Sequence, residues 1–208
     1  MGTDIHYIFE TKDETGKWQE IAIDYDNTER FYIGRSYLLF SVLAGVRNGH
    51  GFAGVPTYKP VEVIAEPRGL PDNVSSSTEE NTNMWHHDDD DGDPRFGDHS
   101  YSYLTGDEIL EHFRVVRHTT NVGIITKEAY FEWSGDCSPD MWYGGISGPD
   151  VSVFDSQGIR DVKIPDGYTH IKVMWDVNIN DVLTRYVEMF KLLKDMFGEY
   201  RMVFGFDS

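Results

Sequence analysis

The C-terminal stretch "NDVLTRYVEMFKLLKDMFGEYRMVFGFD" constrains the fold most. Val182, Leu183, Tyr186, Met189, Phe190, Leu193 and Phe197 recur at the helical period, and Gly198 supplies a stop. The spacing predicts a long helix over about 180–197, with Val182, Tyr186, Phe190 and Leu193 packed on a sheet. "YRMVFGFD" then reads as a closing strand. At the other terminus "TDIHYIFE" alternates, with Ile5, Tyr7 and Phe9 on one face and Asp4, His6 and Ile8 on the other. "WQEIAI", after the turn "KDETGK", completes a hairpin. Strands at both ends with helices between predict an α+β fold whose mixed or antiparallel sheet includes both terminal strands.

A second, buried helix is expected over about 36–47, with Ser36 as N-cap and Gly49 just past its end. Leu38, Leu39, Val42, Leu43 and Val46 cover most of its circumference. Thr105 and Glu108 spell a capping box for a short helix, and "THIKVMWDV" alternates as a strand. Periodicity does not decide between strand and helix in "VGIITKEAYFEW". The 208 residues fit a single domain over 1–208 with a long acidic insertion at about 72–98. That insertion contains "SSSTEENTN" and "HHDDDDGD"; with few apolar anchors it is expected to be mobile.

Charge and cysteine usage narrow the function classes. A formal charge of -18 opposes binding to nucleic acid through its phosphates, which needs a basic face. No apolar run approaches the roughly 18 residues of a membrane span, and the N-terminus lacks the pattern of a signal peptide. The one cysteine, Cys137, permits no internal disulfide and fits a reducing cytoplasm.

The stretch "ERFYIGRSYLLFSVLAGVRNGHGFAG" places cations at both ends of the buried helix. Arg30 and Arg35 precede its N-terminus, where free N–H groups add partial positive charge. Arg47, Asn48, His50 and Phe52 follow its other end. Such groups can meet anionic ligand atoms, while Tyr32, Tyr37 and Phe52 offer faces for a base to stack on. About 12 residues at roughly 1.5 Å each put the two ends about 18 Å apart, so two sites, or one completed by a neighbouring copy of the chain, are expected. The structural alternative pairs the arginines with Asp and Glu, which outnumber Lys and Arg 36 to 18.

Three further patterns carry chemistry more weakly. Asp4 and His6 share a strand face, as the opening D-x-H pair of metallophosphoesterases does, and would take a divalent metal ion as cofactor. The rest of that motif is missing, and His50, His99 and Asp207 are the candidate further ligands. "HSYS", beginning at His99, matches half of a two-histidine phosphoesterase signature; His118 is the candidate for the other half, and ordering of a loop is the alternative. "HHDDDDGDPRFGD" fits a calcium loop in poor register and reads better as a solvated acidic loop.

Taken together, "MGTDIHYIFE", the Glu29–Gly54 stretch, "PRGLPDNVS", "DHSYSYLT" and the ending "RMVFGFDS" resemble a protein family of bacteriophages and prophages. Its members begin "MGCDIH", carry an arginine-tyrosine-leucine-phenylalanine helix followed by a "GFAG"-like loop, and end in a strand closing on Asp. Thr3 stands here where the family has cysteine, which weakens any role for a thiol at that position. The resemblance implies a non-structural phage accessory protein acting in the cytoplasm of an infected bacterium. In that setting the expected function is sequestration of a small phosphorylated, nucleotide-derived ligand such as a bacterial immune signal. The ligand residues expected are Arg30, Arg35, Tyr37, Arg47, Asn48, His50, Phe52 and His99. The alternatives are a metal-dependent phosphoesterase acting on such a ligand, and an acidic inhibitor of a host protein.

Overall fold

A computed structural model describes residues 2–23, 29–83 and 97–207, with backbone only for 81–83. Residues 84–96, which carry the calcium-loop pattern up to Phe96 and about half of the acidic insertion, lie outside the described residues. Among the described residues two sheets organise the fold. The first has strand order β2-β1-β7-β3, all neighbours antiparallel: β1 is Asp4–Lys12, β2 Trp18–Glu20, β3 His99–Thr105 and β7 Tyr200–Asp207. The second has order β4-β6-β5, with β4 His118–Thr126 antiparallel and β5 Val153–Asp155 parallel to β6 His170–Asn178. The fold is therefore α+β, and its two terminal strands lie side by side.

The β1/β7 register sets the faces of the first sheet. Ile5↔Phe206, Tyr7↔Phe204 and Phe9↔Met202 point into the main core; His6↔Gly205 and Glu10↔Arg201 point the other way. Five helices accompany the core face and the second sheet: α1 Tyr37–Ala44, α3 Gly106–Arg114, α4 Lys127–Glu132, α5 Ile179–Val182 and α6 Thr184–Phe197. Phe40 meets Phe206 edge-on at 5.2 Å, and Phe9 meets Phe190 of α6 at 6.5 Å. A smaller core under the second sheet holds Ile125, Ile171, Val173 and Trp175, with Trp133 and Trp142 against it.

The C-terminal helix begins later than its pattern suggests. The chain breaks at Leu183 between α5 and α6, and Leu183 rather than Val182 turns inward; Val182 is 56% exposed. Phe190 and Leu193 are fully buried as expected. The undecided stretch "VGIITKEAYFEW" is both: a strand to Thr126, whose hydroxyl accepts from Ala129 N–H and caps α4. Thr105 and Glu108 close the capping box of α3.

The acidic insertion starts with order rather than mobility. Ser76–Asn83 forms α2, tied down from the outer face of the first sheet. Fully buried Glu10 accepts Ser75 N–H at 2.7 Å and the Thr78 hydroxyl at 2.5 Å, and takes Arg201 Nε–H at 2.6 Å on its other oxygen. Arg201 also donates from Nη1 to the side-chain oxygen of Asn73 and from Nη2 to its carbonyl, with its guanidinium 4.1 Å from the Trp18 ring centre. Burial pushes the Glu10 carboxyl up, but the Thr78, Ser75 and Arg201 hydrogen bonds outweigh it and hold the group below its ordinary range.

Candidate functional site

Helix α1 is shorter than its apolar pattern. The Ser36 hydroxyl accepts from Leu39 N–H at the start, but the stop is Gly45, not Gly49. Gly45 adopts φ 71, and its N–H returns to the Ser41 carbonyl. Val46, which extends the apolar spacing, already belongs to the turn. The Tyr58 hydroxyl locks the reversal: it lies 2.6 Å from Ser41 Oγ and donates toward the carbonyls of Tyr37 and Arg47 at 3.1 and 3.2 Å. Arg47 itself has φ 58, a left-handed conformation that the surrounding turn imposes.

The reversal overturns the expected 18 Å separation. The Arg35 guanidinium donates twice to Asp4, Nε to Oδ1 at 2.8 Å and an Nη to Oδ2 at 2.5 Å. Arg47 Nε donates to Thr3 Oγ1 at 2.8 Å, and its guanidinium lies 5.7 Å from the Tyr37 ring centre. The two cations of one helix thus bond adjacent residues at the start of β1. Arg35 has an internal carboxylate, as the structural alternative expects. The Arg35 hydrogen bond draws the Asp4 carboxyl below its ordinary range against a smaller opposing effect of burial.

Asp4 and His6 do not converge on a common centre. Asp4 turns to Arg35, while His6 Nε2 lies 3.1 Å from Asp207 Oδ2; the other Asp207 oxygen accepts Asp4 N–H at 2.9 Å. Among the described residues no group of three or more His, Cys, Asp or Glu is arranged to hold a metal ion.

What the fold does bring together is Arg47 and His99. Both line an open concavity of about 590 Å³, with Thr3, Glu66 and Ser100 among the other walls. His99 stands at the start of β3, its ring stacked on Phe206 at 6.1 Å. "DHSYSYLT" is therefore the entry to a strand rather than a loop before a helix. The other expected ligand residues lie elsewhere. The Asn48 side chain bridges both polar groups of Val61, at 2.9 and 2.8 Å. His50 is exposed, with Nδ1 3.0 Å from the Asn48 carbonyl oxygen. Phe52, 64% exposed, faces a separate hollow with Trp142, Gly144 and Gly145. Arg30 lines a third hollow with Arg185, Glu188 and Asp195.

Thr3 and Ser100 were not legible as site residues. Thr3 is only the opening residue of the alternating run, and Ser100 was visible only as the second residue of "HSYS". Comparison with protein-family models, curated proteins and solved structures gives no match to this chain. Among the described residues no helix is long and apolar enough to cross a membrane.

Proposed function

We propose that the chain binds and sequesters a small phosphorylated, nucleotide-derived ligand in the concavity between Arg47 and His99. The supporting observation is their meeting there from distant parts of the sequence. A guanidinium is the side chain best matched to phosphate oxygens, and an imidazole and a serine hydroxyl beside it add donors. Thr3 and Tyr37 hold Arg47 in place, so little rotamer freedom is lost on binding. Glu66, the carboxylate on the same wall, suits a ligand hydroxyl or amino group rather than its phosphate. The resemblance to a phage family supplies the context of a bacterial immune signal. Arg35, committed to Asp4, has no ligand role in this reading.

The test mixes the protein with candidate nucleotides, removes unbound material, denatures the protein and chromatographs what is released. Intact nucleotide recovered from the wild type but not from Arg47→Gln supports sequestration. Altered nucleotide, again absent with Arg47→Gln, adds turnover to binding at the same site. Recovery of no nucleotide refutes the reading and favours the acidic-inhibitor alternative, which the charge of -18 motivates.

A further inference from the structure

Residues 97–101 are held more tightly than the entry to a strand requires. Gly97, at φ 82, lies so close to the Phe206 backbone that a Cβ would fall 2.4 Å from its N and O atoms. Asp98 N–H donates to the Phe206 carbonyl at 2.6 Å, and the Tyr101 hydroxyl donates to the Gly97 carbonyl at 2.7 Å. The β3/β7 register slips between His99 and Ser102, and within this bulge Ser100 has φ 54. A non-glycine residue in that region is strained, and strained residues at bulges gather where a side chain must be aimed. What this one aims is a hydroxyl: Ser100 Oγ lies 2.8 Å from His99 Nδ1. The other ring nitrogen, Nε2, lies 3.8 Å from Asp98 Oδ1, beyond hydrogen-bond distance. With the ring proton on Nε2, the Nδ1 lone pair accepts the serine O–H. Nucleophile and base are within hydrogen-bond reach, and Ser100, His99 and Arg47 have concave space in common.

We propose that Ser100 is a nucleophile, with His99 as its base, toward the phosphorus of a phosphate ester held at Arg47. The inference rests on the reading of this concavity as a phosphorylated-ligand site. Ser100 Oγ forms a bond to phosphorus as the bond to the leaving alcohol oxygen breaks. The serine proton passes to His99 Nδ1 and from there to the departing alkoxide. Water then attacks the phosphoseryl group and gives a proton to His99, which returns it to Ser100 Oγ as phosphate leaves. Arg47 offsets the charge on the non-bridging oxygens. A capture protein of this kind would destroy its ligand as well as hold it.

A local hydrogen bond between neighbours could also serve loop order alone, and that account expects no covalent chemistry. The test exposes the intact protein to an alkyl fluorophosphonate, which a serine nucleophile attacks with loss of fluoride, and reads the mass. One adduct mapping to Ser100 is expected, absent in Ser100→Gly. Glycine removes the hydroxyl and tolerates the positive φ, so that variant keeps its fold. His99→Asn should label roughly 100-fold more slowly or worse. No adduct, an adduct elsewhere, or a rate indifferent to His99 overturns the proposal. Calorimetric titration of the wild type with inorganic phosphate and with a nucleoside phosphonate, whose P–C bond the serine cannot break, separates the two readings. Binding without labelling of the wild type removes the nucleophile and leaves sequestration standing. Labelling of Ser100 with neither probe bound removes the phosphorylated-ligand reading, and the phosphoester substrate with it.

Discussion

Deleting the Glu10 carboxylate tests the outer face of the first sheet. In Glu10→Ala three donors lose their acceptor: Ser75 N–H, the Thr78 hydroxyl and Arg201 Nε–H. Arg201 is only 3% exposed, so its charge stays buried with Asn73 as its remaining hydrogen-bonding partner and the Trp18 ring beside it. Breaking a buried pair from one side costs about 3–5 kcal/mol. That is a large part of the roughly 5–15 kcal/mol that holds a domain folded. With a urea m-value of about 2 kcal/mol/M, the midpoint should fall by roughly 1.5–2.5 M. The double variant Glu10→Met, Arg201→Met removes both charges and keeps the volume, so it should recover most of that loss. Urea unfolding followed by tryptophan fluorescence measures all three. A midpoint shift below about 0.5 M for Glu10→Ala, or a double variant no better than the single, would refute the reasoning.

Leu193→Ala should cost about 2–5 kcal/mol, because the side chain is fully buried, while Val182→Ala at an exposed position should leave the melting curve almost unchanged. Equal effects of the two would contradict the break at Leu183, which turns Val182 outward while the Leu193 face of α6 stays buried. Arg35→Ala should barely shift the melting temperature, since its pair with Asp4 is about half exposed on both sides; a large loss would mean that the pair anchors the start of β1. Acid should weaken the fold in two stages. His112 is buried with Nε2 lacking a hydrogen-bond partner among the described residues, and burial, aided by Arg117, holds its pKa below the ordinary 6.5. The unfolded chain therefore binds protons first, and stability is lost as pH falls below 6.5 toward the folded value. Glu10, held below the ordinary 4.5, adds a second loss as pH falls through that value and lower. Stability curves from pH 8 to about pH 3 should show both slopes, with His112→Gln removing the upper one; a flat profile down to about pH 4 would refute the His112 part.

The sheet pairing was legible because both terminal segments write their faces locally. Ile5, Tyr7 and Phe9 alternate in one strand, Met202, Phe204 and Phe206 in the other, and these sets meet in register. The stop of α1 was hidden because Val46 continues the apolar spacing past Gly45, so the pattern outlasts the helix. That miss produced the wrong geometry for the arginines: helix rise measures distance along an axis, and the chain reverses before Arg47. The Glu10–Arg201 pair was not legible at all. Each residue occupies the outward phase of an alternating strand, where a charge ordinarily meets water. Its burial depends on Asn73, Ser75 and Thr78, contributed from a polar segment with no periodicity to announce it. Arg47 and His99 were each visible as cationic or polar residues near turns, but their shared concavity arises only when β3 adds to β7 beside the start of β1.

The most direct measurement of the central claim is calorimetric titration of the wild type and Arg47→Gln with the nucleotide released from the wild-type protein on denaturation. Gln at position 47 keeps a side chain of similar reach and does not relieve the backbone strain, so it isolates the charge. Loss of a charge-assisted hydrogen bond, about 1.5–3 kcal/mol, should weaken affinity roughly tenfold to a hundredfold. Added salt should weaken wild-type binding more than that of the variant, because a charged contact is screened. Equal affinities of the two proteins at low salt would contradict the assignment of this concavity as the ligand site.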